Sequence, residues 1–321
     1  MGMRVLAPGT MTTVQDLGRT GWRHLGVGLS GALDPYSHAI ANLLVGNPAD
    51  AATLEITLTG PTLALAAGAV VAICGADVDA RVGGTALPGW RPIGLPAATT
   101  LSIGACRKGA RAYLAIAGGI RVASVLGSAS TDLRGGFGGI HGRALVRGDA
   151  LEIPKAAIAL PELDIASWWI DPSPELQWDL PAVVRVLPPG GSGTSPHGLF
   201  ASSWRVAAAS NRQGLRMEGS AIAPDDVTAL ISEPVLPGTV QLPPDGQPIV
   251  LMADAQTHGG YPRIGHVIRA DWPRLAQLRP GERVRFRPCT YDEARQARLD
   301  QSHRLARIAL AIAGRRHATR S

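Results

Sequence analysis

Two segments in the second half of the sequence combine glycine with an unusual number of polar and charged side chains. They read SNRQGLRMEG at residues 210–219 and DAQTHGGYPRIG at residues 254–265. Glycine lets the backbone approach a ligand closely, and the N–H groups beside it can bind an oxyanion or a carbonyl oxygen. Arginine offers a planar set of donors that suits a carboxylate. The two segments together predict a binding site for a small polar molecule.

Two more segments have the same character, with an arginine close to glycine. They read TVQDLGRTGWRHLGV at residues 13–27 and STDLRGGFGGIHGR at residues 130–143. Any one of the four, taken singly, also fits a plain turn whose arginine bridges neighbouring loops. We expect residues 256–265 to form one wall of a pocket and residues 210–219 to face it, because each follows an apolar, strand-like run.

The elements that must position these segments are mostly strands. The chain of 321 residues holds 39 glycines and 25 prolines without a repeating period, and 45% of its residues are hydrophobic. Many turns between short β-branched runs predict a folded, mainly β protein with a few helices. We expect an N-terminal β domain over 1–155, a proline-rich linker over 156–182, a C-terminal β domain over 183–289, and a helix with a basic tail over 290–321.

Two stretches carry helix signals. In the first, Asp34 is placed to cap the N-terminus, with Pro35 in the first turn and Gly46 as the stop. In the second, Thr290 and Glu293 form a capping box. This second helix runs toward residue 313, and its apolar side is formed by Leu305, Ile308 and Ile312.

Composition and missing motifs exclude several kinds of function. The net charge of +6 is spread along the chain and is densest in GRRHATR near the C-terminus, so we expect a solvated tail and no nucleic acid partner. Three distant cysteines without a CxxC pair predict neither a disulfide framework nor a metal site, and they fit the cytoplasm. The longest apolar run, residues 63–74, is shorter than the roughly 18 residues that a membrane helix needs. No phosphate loop is present, so ATP binding by this chain alone is not expected.

Longer phrases give a specific resemblance. The phrases TVQDLGR, GVGLSGALDPYSHAIANLLVGN, LEITLTGP, NRQGLRMEG and PGTVQLPPDGQPIVLMADAQTHGGYPRIG occur in this order. Over about residues 5–287 the chain resembles the family of bacterial 5-oxoprolinase C subunits. These proteins are also called KipA-like or biotin-dependent carboxyltransferase-like, after their relation to the carboxyltransferase region of urea carboxylase.

The resemblance implies a fold, partners and a reaction. The fold would be two cyclophilin-like β-barrel domains. The partners would be a KipI-like B subunit and an A subunit, and the complex would use ATP to cleave 5-oxo-L-proline to L-glutamate. His258 stands where family members commonly have a second threonine, which bears on substrate preference.

The same resemblance lets roles be assigned for a lactam, which needs donors for its carbonyl, an acceptor for its N–H and a cation for its carboxylate. Among these, Asp254 or Glu218 would accept the N–H, and Arg212 or Arg216 would hold the carboxylate. The expected catalytic residues are Arg212, Asp254, Gln256 and Tyr261. The expected substrate-binding residues are Gln213, Arg216, Glu218, Thr257, His258, Gly259 and Gly260.

Two other functions stay open. A KipA-like regulatory protein would bind a KipI-like kinase inhibitor. A carboxyltransferase component would act on urea or a related amide. Covalent biotin is not expected on this chain, because neither CRKGA nor IPKAA offers a lysine between methionines.

Two expectations for variants follow, the first from the lactam interpretation and the second from the end of the resemblance near residue 287. Arg212→Ala and Tyr261→Phe should lower turnover of the assembled complex by about tenfold or more while hardly changing thermal stability. Deleting the chain after about residue 292 should leave activity largely intact.

Overall fold

A computed structural model describes residues 2–65, 68–153, 162–176, 178–190, 197–223 and 231–318. The strands of the first half are β1 (Gly2–Ala7), β2 (Met11–Gln15), β3 (Thr53–Thr57), β4 (Thr62–Leu65), β5 (Ala69–Val82), β6 (Thr85–Leu87), β7 (Ile93–Leu95), β8 (Thr99–Ile116), β9 (Ala150–Glu152) and β10 (Asp164–Ile165). This half is built on the two long antiparallel strands β5 and β8.

The strands of the second half are β11 (Ala182–Leu187), β12 (Ser203–Val206), β13 (Gly214–Glu218), β14 (Glu233–Pro234), β15 (Thr239–Gln241), β16 (Ile249–Leu251), β17 (His258–Gly259), β18 (Arg263–Val267) and β19 (Arg283–Pro288). Seven of them form a closed barrel in the order β11-β18-β15-β16-β13-β12-β19. A separate two-stranded ribbon pairs β14 with β17. The helices are α1 (Pro35–Val45), α2 (His197–Ala201), α3 (Trp272–Ala276) and α4 (Tyr291–Ala318).

The mainly β prediction is confirmed, and the two halves differ in how their strands close. In the first half, β8 pairs with β5, β4 and β3, so the ten-stranded sheet branches instead of forming one simple row. In the second half, a parallel pairing of β11 with β19 closes the barrel. Each half has its own apolar core; Leu54 and Leu114 lie in the first and Val184 and Trp204 in the second. The domain limits stay a prediction, and residues 156–161 and 177 of the expected linker lie outside the described residues.

The halves are joined by hydrogen bonds as well as by packing. The Gln277 side chain accepts from the backbone N–H groups of Ala110 and Arg111, at 3.0 and 3.1 Å. Arg279 donates to the carbonyls of Gly109 and Cys106, at 2.7 and 2.8 Å. Since these partners lie on β8, the turn after α3 is fixed to the long strand of the first half. Within the described ranges, no helix combines the length and the apolar character that crossing a membrane requires.

Both predicted helices form where their capping residues indicated. Asp34 accepts from the Ser37 N–H at 2.9 Å, and Gly46 ends α1 with φ of 79°. At α4, Thr290 and Glu293 exchange hydrogen bonds of 2.7 and 3.2 Å between their backbone N–H groups and side chains. Helix α4 is also longer than its apolar stripe suggested, since it continues to residue 318.

Helix α4 belongs to the packed structure. Ile312 is only 3% exposed and joins a third core cluster with Ile40 and Leu44 of α1. Gln301 is also buried, and its amide donates to Glu175 and to the Ala270 carbonyl. These contacts argue against the expected tolerance to truncation after residue 292, because removing α4 would uncover the apolar face of α1.

We predict that Ile312→Ala lowers the free energy of unfolding by about 2–5 kcal/mol, because it opens a cavity between α4 and α1. Leu310→Ala is the matched control, since Leu310 is 74% exposed on the same helix. Urea denaturation of both variants measures the difference. Equal stability of the two would mean that α4 does not dock as described.

Burial also sets the proton affinity of His38 on α1. This side chain is fully buried, with Nδ1 3.0 Å from the Thr53 hydroxyl and Nε2 3.4 Å from the Asn42 amide. Burial lowers the pKa of His38 to about 4, although the carboxylates of Asp16 and Glu55 act in the opposite direction. Asp50 opposes the shift as well.

We predict that stability falls as the pH drops from about 6.5 to about 4. In this window the unfolded chain takes up a proton at His38 and the folded chain does not, which costs roughly 3 kcal/mol across the window. Above pH 6.5 His38 does not make the free energy of unfolding depend on pH. Unfolding free energies of the wild type and His38→Gln, measured at several pH values, should therefore converge as the pH falls. Parallel curves through this window would contradict the prediction.

Candidate functional site

The four polar, glycine-rich segments meet where the two halves of the chain touch. Gln15 donates to the Thr131 carbonyl at 3.2 Å, which connects residues 13–27 with residues 130–143. Arg212 binds Asp254, which connects residues 210–219 with residues 254–265. Just outside these segments, the Ser30 N–H donates to the Ala253 carbonyl at 3.1 Å. This contact places residues 13–27 and 130–143 against residues 210–219 and 254–265. Residues 210–219 and 254–265 thus meet at the contact of Arg212 with Asp254, and the expected pocket between the two segments stays a prediction.

Arg212 lies at the centre of this contact and is 2% exposed. Its Nε and Nη2 each donate to the Asp254 carboxylate at 2.9 Å, and Nη2 also donates to the Gly31 carbonyl at 2.7 Å. The remaining nitrogen, Nη1, donates to Glu55 of the first half. Every guanidinium nitrogen is therefore bonded to a protein oxygen.

Glu55 is the first-half partner of Arg212 and is 1% exposed on β3. Its other carboxylate oxygen accepts from the Leu33 N–H and from the Tyr113 hydroxyl, both at 2.8 Å. The Tyr113 oxygen in turn accepts from the Asp34 N–H at 2.7 Å, at the start of α1. We call Arg212, Asp254, Glu55 and Tyr113 the seam cluster.

Electrostatics keeps Arg212 and Tyr113 of the seam cluster protonated. Burial opposes the charge on Arg212, but the carboxylates of Asp254 and Glu55 outweigh it and raise the pKa of the guanidinium. Burial, together with the same Glu55 carboxylate, raises the pKa of Tyr113 well above its ordinary value. Tyr113 therefore stays a donor. A buried charge without partners would cost several kcal/mol, so each member depends on the others.

This geometry changes the role that Arg212 and Asp254 can have. The sequence-based expectation was that Arg212 holds a substrate carboxylate and that Asp254 accepts a lactam N–H. In the structure both are buried and bonded to each other, and a ligand would reach Arg212 only by displacing Asp254 or Glu55. We treat the two as positioning residues, because Asp254 fixes the start of the segment that carries Gln256.

Gln256 lies between two side chains that the sequence did not single out. Its Nε2 donates to the side-chain amide oxygen of Gln241 at 3.4 Å, and its backbone carbonyl accepts from Arg23 Nη2 at 3.5 Å. The same Arg23 nitrogen donates to the Val235 carbonyl. Arg23 thus connects the N-terminal loop to the wall formed by residues 254–265. Gln241 on β15 is 1% exposed.

The rest of this wall presents groups at the surface. The Thr257 hydroxyl lies 3.0 Å from Nδ1 of the exposed His258, and Tyr261 is 46% exposed. Gly259 lies directly against Gln241, since a Cβ on residue 259 would come within 2.5 Å of Gln241 Nε2. Gly260 is half-buried beside it. The wall therefore combines a close backbone approach with accessible polar groups.

Three of the expected substrate-binding residues lie elsewhere. Along β13, Leu215 and Met217 face the barrel core while Arg216 and Glu218 are exposed, because successive side chains of a strand point to opposite faces. Glu218 forms an ion pair with Arg205 at 3.2 Å on the outer surface. Gln213, in the turn before β13, is also exposed. Among the described residues, no hydrogen bond or ion pair connects these three side chains to Gln256 or Tyr261.

Two of the three missed residues, Arg23 and Glu55, had weak signals in the sequence. Arg23 lies in a segment already noted for its polarity. Glu55 interrupts the apolar run LEITL, and a charge inside a buried strand indicates an ion pair with a distant partner. Gln241 had no such signal. No group of three or more His, Cys, Asp or Glu side chains in the described part of the chain is arranged to hold a metal ion.

Comparison with known proteins gives a consistent family. The model of the carboxyltransferase domain, subdomain A and B, matches residues 25–288. The 5-oxoprolinase C subunit of Escherichia coli is 40% identical over 312 residues, which cover 96% of this chain and 97% of that protein. The urea amidolyase of Saccharomyces cerevisiae is 30% identical over 329 residues, which cover 93% of this chain but 17% of that protein.

A solved structure supports the same assignment at the level of fold. The crystal structure of the Kluyveromyces lactis urea amidolyase matches with a TM-score of 0.85 and 31% identity. The match covers 96% of this chain and 20% of that chain. The present chain therefore corresponds to nearly the whole of the bacterial protein and to a fifth or less of the yeast proteins.

We predict that Arg212→Ala lowers the free energy of unfolding by about 3–5 kcal/mol, because it leaves Asp254 and Glu55 buried without a cation. Arg205→Ala, which breaks the exposed pair with Glu218, is the matched control and should change stability by less than about 1 kcal/mol. Urea denaturation compares them. If Arg212→Ala unfolds at the same urea concentration as the control, the seam cluster does not hold the halves together. The predicted loss of stability reverses the sequence-based expectation that Arg212→Ala lowers turnover while hardly changing stability.

Proposed function

The chain belongs to the family of carboxyltransferase domains with subdomains A and B, and on that premise we propose that it is the C subunit of an ATP-dependent 5-oxoprolinase complex. The observation that carries the proposal is the match to the E. coli 5-oxoprolinase C subunit along nearly the full length of both chains. With a KipI-like B subunit and an A subunit, the complex would convert 5-oxo-L-proline and water to L-glutamate. ATP would be consumed as ADP and phosphate.

The chemistry of the reaction explains why such a protein would need the wall described above. A lactam carbon is unreactive because its nitrogen shares electrons with the carbonyl. Phosphorylation of the carbonyl oxygen by ATP makes the carbon open to attack by water. The C–N bond of the resulting tetrahedral intermediate then breaks as the nitrogen takes up a proton, which leaves an acyl phosphate, and a second water hydrolyses this to the carboxylate and phosphate. The part of this chain in the reaction is to bind and orient the lactam, since its sequence offers no phosphate loop.

The residues proposed to orient the lactam lie on the wall at Gln256, Gly259 and Tyr261. Hydrogen-bond donors that a rigid wall holds in position before the substrate binds favour the reacting geometry, because they do not have to reorganise during the reaction. The seam cluster supplies that rigidity, because the Asp254 N–H donates to the Arg212 carbonyl at 3.0 Å while the two side chains bond each other. Cys74, Cys106 and Cys289 are all buried and unpaired, which suits the cytoplasmic location that we propose.

A second candidate function is carboxyl transfer to urea or a related amide. It is favoured by the match to yeast urea amidolyase along most of this chain. In that case the chain would act as one part of a larger assembly, because it corresponds to only 17% of the yeast protein. Urea has two amide nitrogens and no carboxylate, so the two candidates differ in whether the ligand carries a negative charge.

We predict that the purified chain alone neither hydrolyses ATP nor opens 5-oxo-L-proline, and that both activities appear when the A and B subunits are added. A coupled assay that follows ADP and glutamate, with 5-oxo-L-proline or urea as substrate, checks this. Equal release of ADP and glutamate supports the proposal. The proposal is refuted if the isolated chain turns over substrate, or if the complete complex does not hydrolyse 5-oxo-L-proline.

The same assay examines the wall. Tyr261→Phe should lower kcat by about tenfold, because losing an aimed hydrogen bond costs roughly 1.5 kcal/mol. Tyr291→Phe is the control, since Tyr291 is 75% exposed at the start of α4. Equal rates in the two variants would show that the Tyr261 hydroxyl does not contribute to turnover.

A further inference from the structure

Two donors beside Gln256 have no hydrogen-bond partner among the described residues. They are Nη1 of Arg23 and Nε2 of Gln241, and both atoms are buried. An unpaired buried donor is destabilising, and proteins pair the large majority of such groups. Two unpaired donors next to the same residue indicate that an acceptor from outside the chain completes them.

Arg23 also lacks a counter-ion. Its Nη2 is bonded to the carbonyls of Val235 and Gln256, which are neutral. No described carboxylate lies within 4.0 Å of its guanidinium, whereas the unbonded Nη1 of Arg19 has Asp132 at 3.9 Å. Burial lowers the pKa of Arg23, and no carboxylate opposes that change. A half-buried cation of this kind is stabilised by an anionic ligand.

Gln241 is held in place from two sides. Its carbonyl oxygen accepts from Gln256, and its Nε2 lies against Gly259, where a side chain would collide. A neutral amide donor that is 1% exposed suits a neutral acceptor such as a carbonyl oxygen. Gln256 accepts from Arg23 through its backbone carbonyl and donates to Gln241 through its side chain, so the cation and the amide donor both contact the same residue.

We propose that Arg23 and Gln241 form a binding site for a small carboxylic acid that also carries an amide carbonyl. Arg23 binds the carboxylate, Gln241 Nε2 donates to the carbonyl oxygen, and Gln256 fixes the two relative to each other. This assignment rests on the proposed function for its physiological ligand. It moves the recognition of the carboxylate from Arg212 and Arg216 to a residue of the N-terminal loop.

Three probes separate the two contacts. 5-Oxo-L-proline has both the carboxylate and the carbonyl, L-proline lacks the carbonyl, and pyrrolidin-2-one lacks the carboxylate. Binding to the full chain and to the assembled complex is measured by isothermal titration calorimetry and ligand-observed NMR. The variants are Arg23→Gln and Gln241→Leu, with Arg205→Gln as an exposed control. Arg23→Lys, which keeps the charge but loses the planar donors, tests the same contact if Arg23→Gln does not fold.

Wild-type protein should bind 5-oxo-L-proline more tightly than either fragment. Arg23→Gln should lower the affinity for 5-oxo-L-proline and for L-proline by tenfold or more and leave the affinity for pyrrolidin-2-one unchanged. Gln241→Leu should lower the affinity for 5-oxo-L-proline and for pyrrolidin-2-one and leave the affinity for L-proline unchanged. The proposal is overturned if both variants bind the three probes like Arg205→Gln, or if neither the wild-type chain nor the complex binds any of them.

Failure of this site and failure of the proposed function give different results. If the complex opens 5-oxo-L-proline at the wild-type rate with Arg23→Gln in place, the function stands and the site is wrong. If carboxylate binding depends on Arg23 but the complete complex leaves 5-oxo-L-proline intact, the site stands and the reaction is a different one.

Discussion

The guanidinium of Arg212 lies between carboxylates from opposite halves of the chain, and the arrangement of the surrounding loops depends on it. Glu55 belongs to the first sheet and Asp254 to the loop after the barrel strand β16, so neither half can satisfy Arg212 alone. Tyr113 extends the contact to the start of α1. A buried ion pair contributes little stability compared with apolar packing, but it tolerates only one geometry, which suits a contact that sets the register between two halves.

That fixed register gives the polar wall its shape. Because Arg212 holds Asp254 with two hydrogen bonds, the segment that follows places Gln256 between Arg23 and Gln241, and Gly259 against the Gln241 amide. The site thus has buried charges that are fully paired and, beside them, donors that are not. The first group holds the loops, and the second group is available for a ligand. This division fits the proposed role in an ATP-dependent complex, in which this chain would contribute recognition and orientation of the substrate.

Local features were predictable from the sequence, and long-range ones were not. The ends of α1 followed from Asp34 and Gly46, and the start of α4 from Thr290 and Glu293, because caps act within one turn. The polar segments were recognised by composition. The burial of Arg212 was not, since Glu55 lies 157 residues away along the chain. The exposure of Arg216 follows from the alternation of β13, a pattern legible in GLRME once the strand is known. Gln241 gave no signal, because its importance comes from an unpaired amide that only the folded barrel reveals.

In the proposed site, the ligand binds where the loop carrying Arg23 meets the wall of residues 254–265. The most direct test is a crystal structure of the chain with its partner proteins and 5-oxo-L-proline. We expect the ligand carboxylate to lie within hydrogen-bond distance of Arg23 and its carbonyl oxygen to accept from Gln241 Nε2, while the pair of Arg212 with Asp254 is unchanged. A ligand bound by Arg212 after displacement of Asp254, or bound without any contact to this chain, would contradict it.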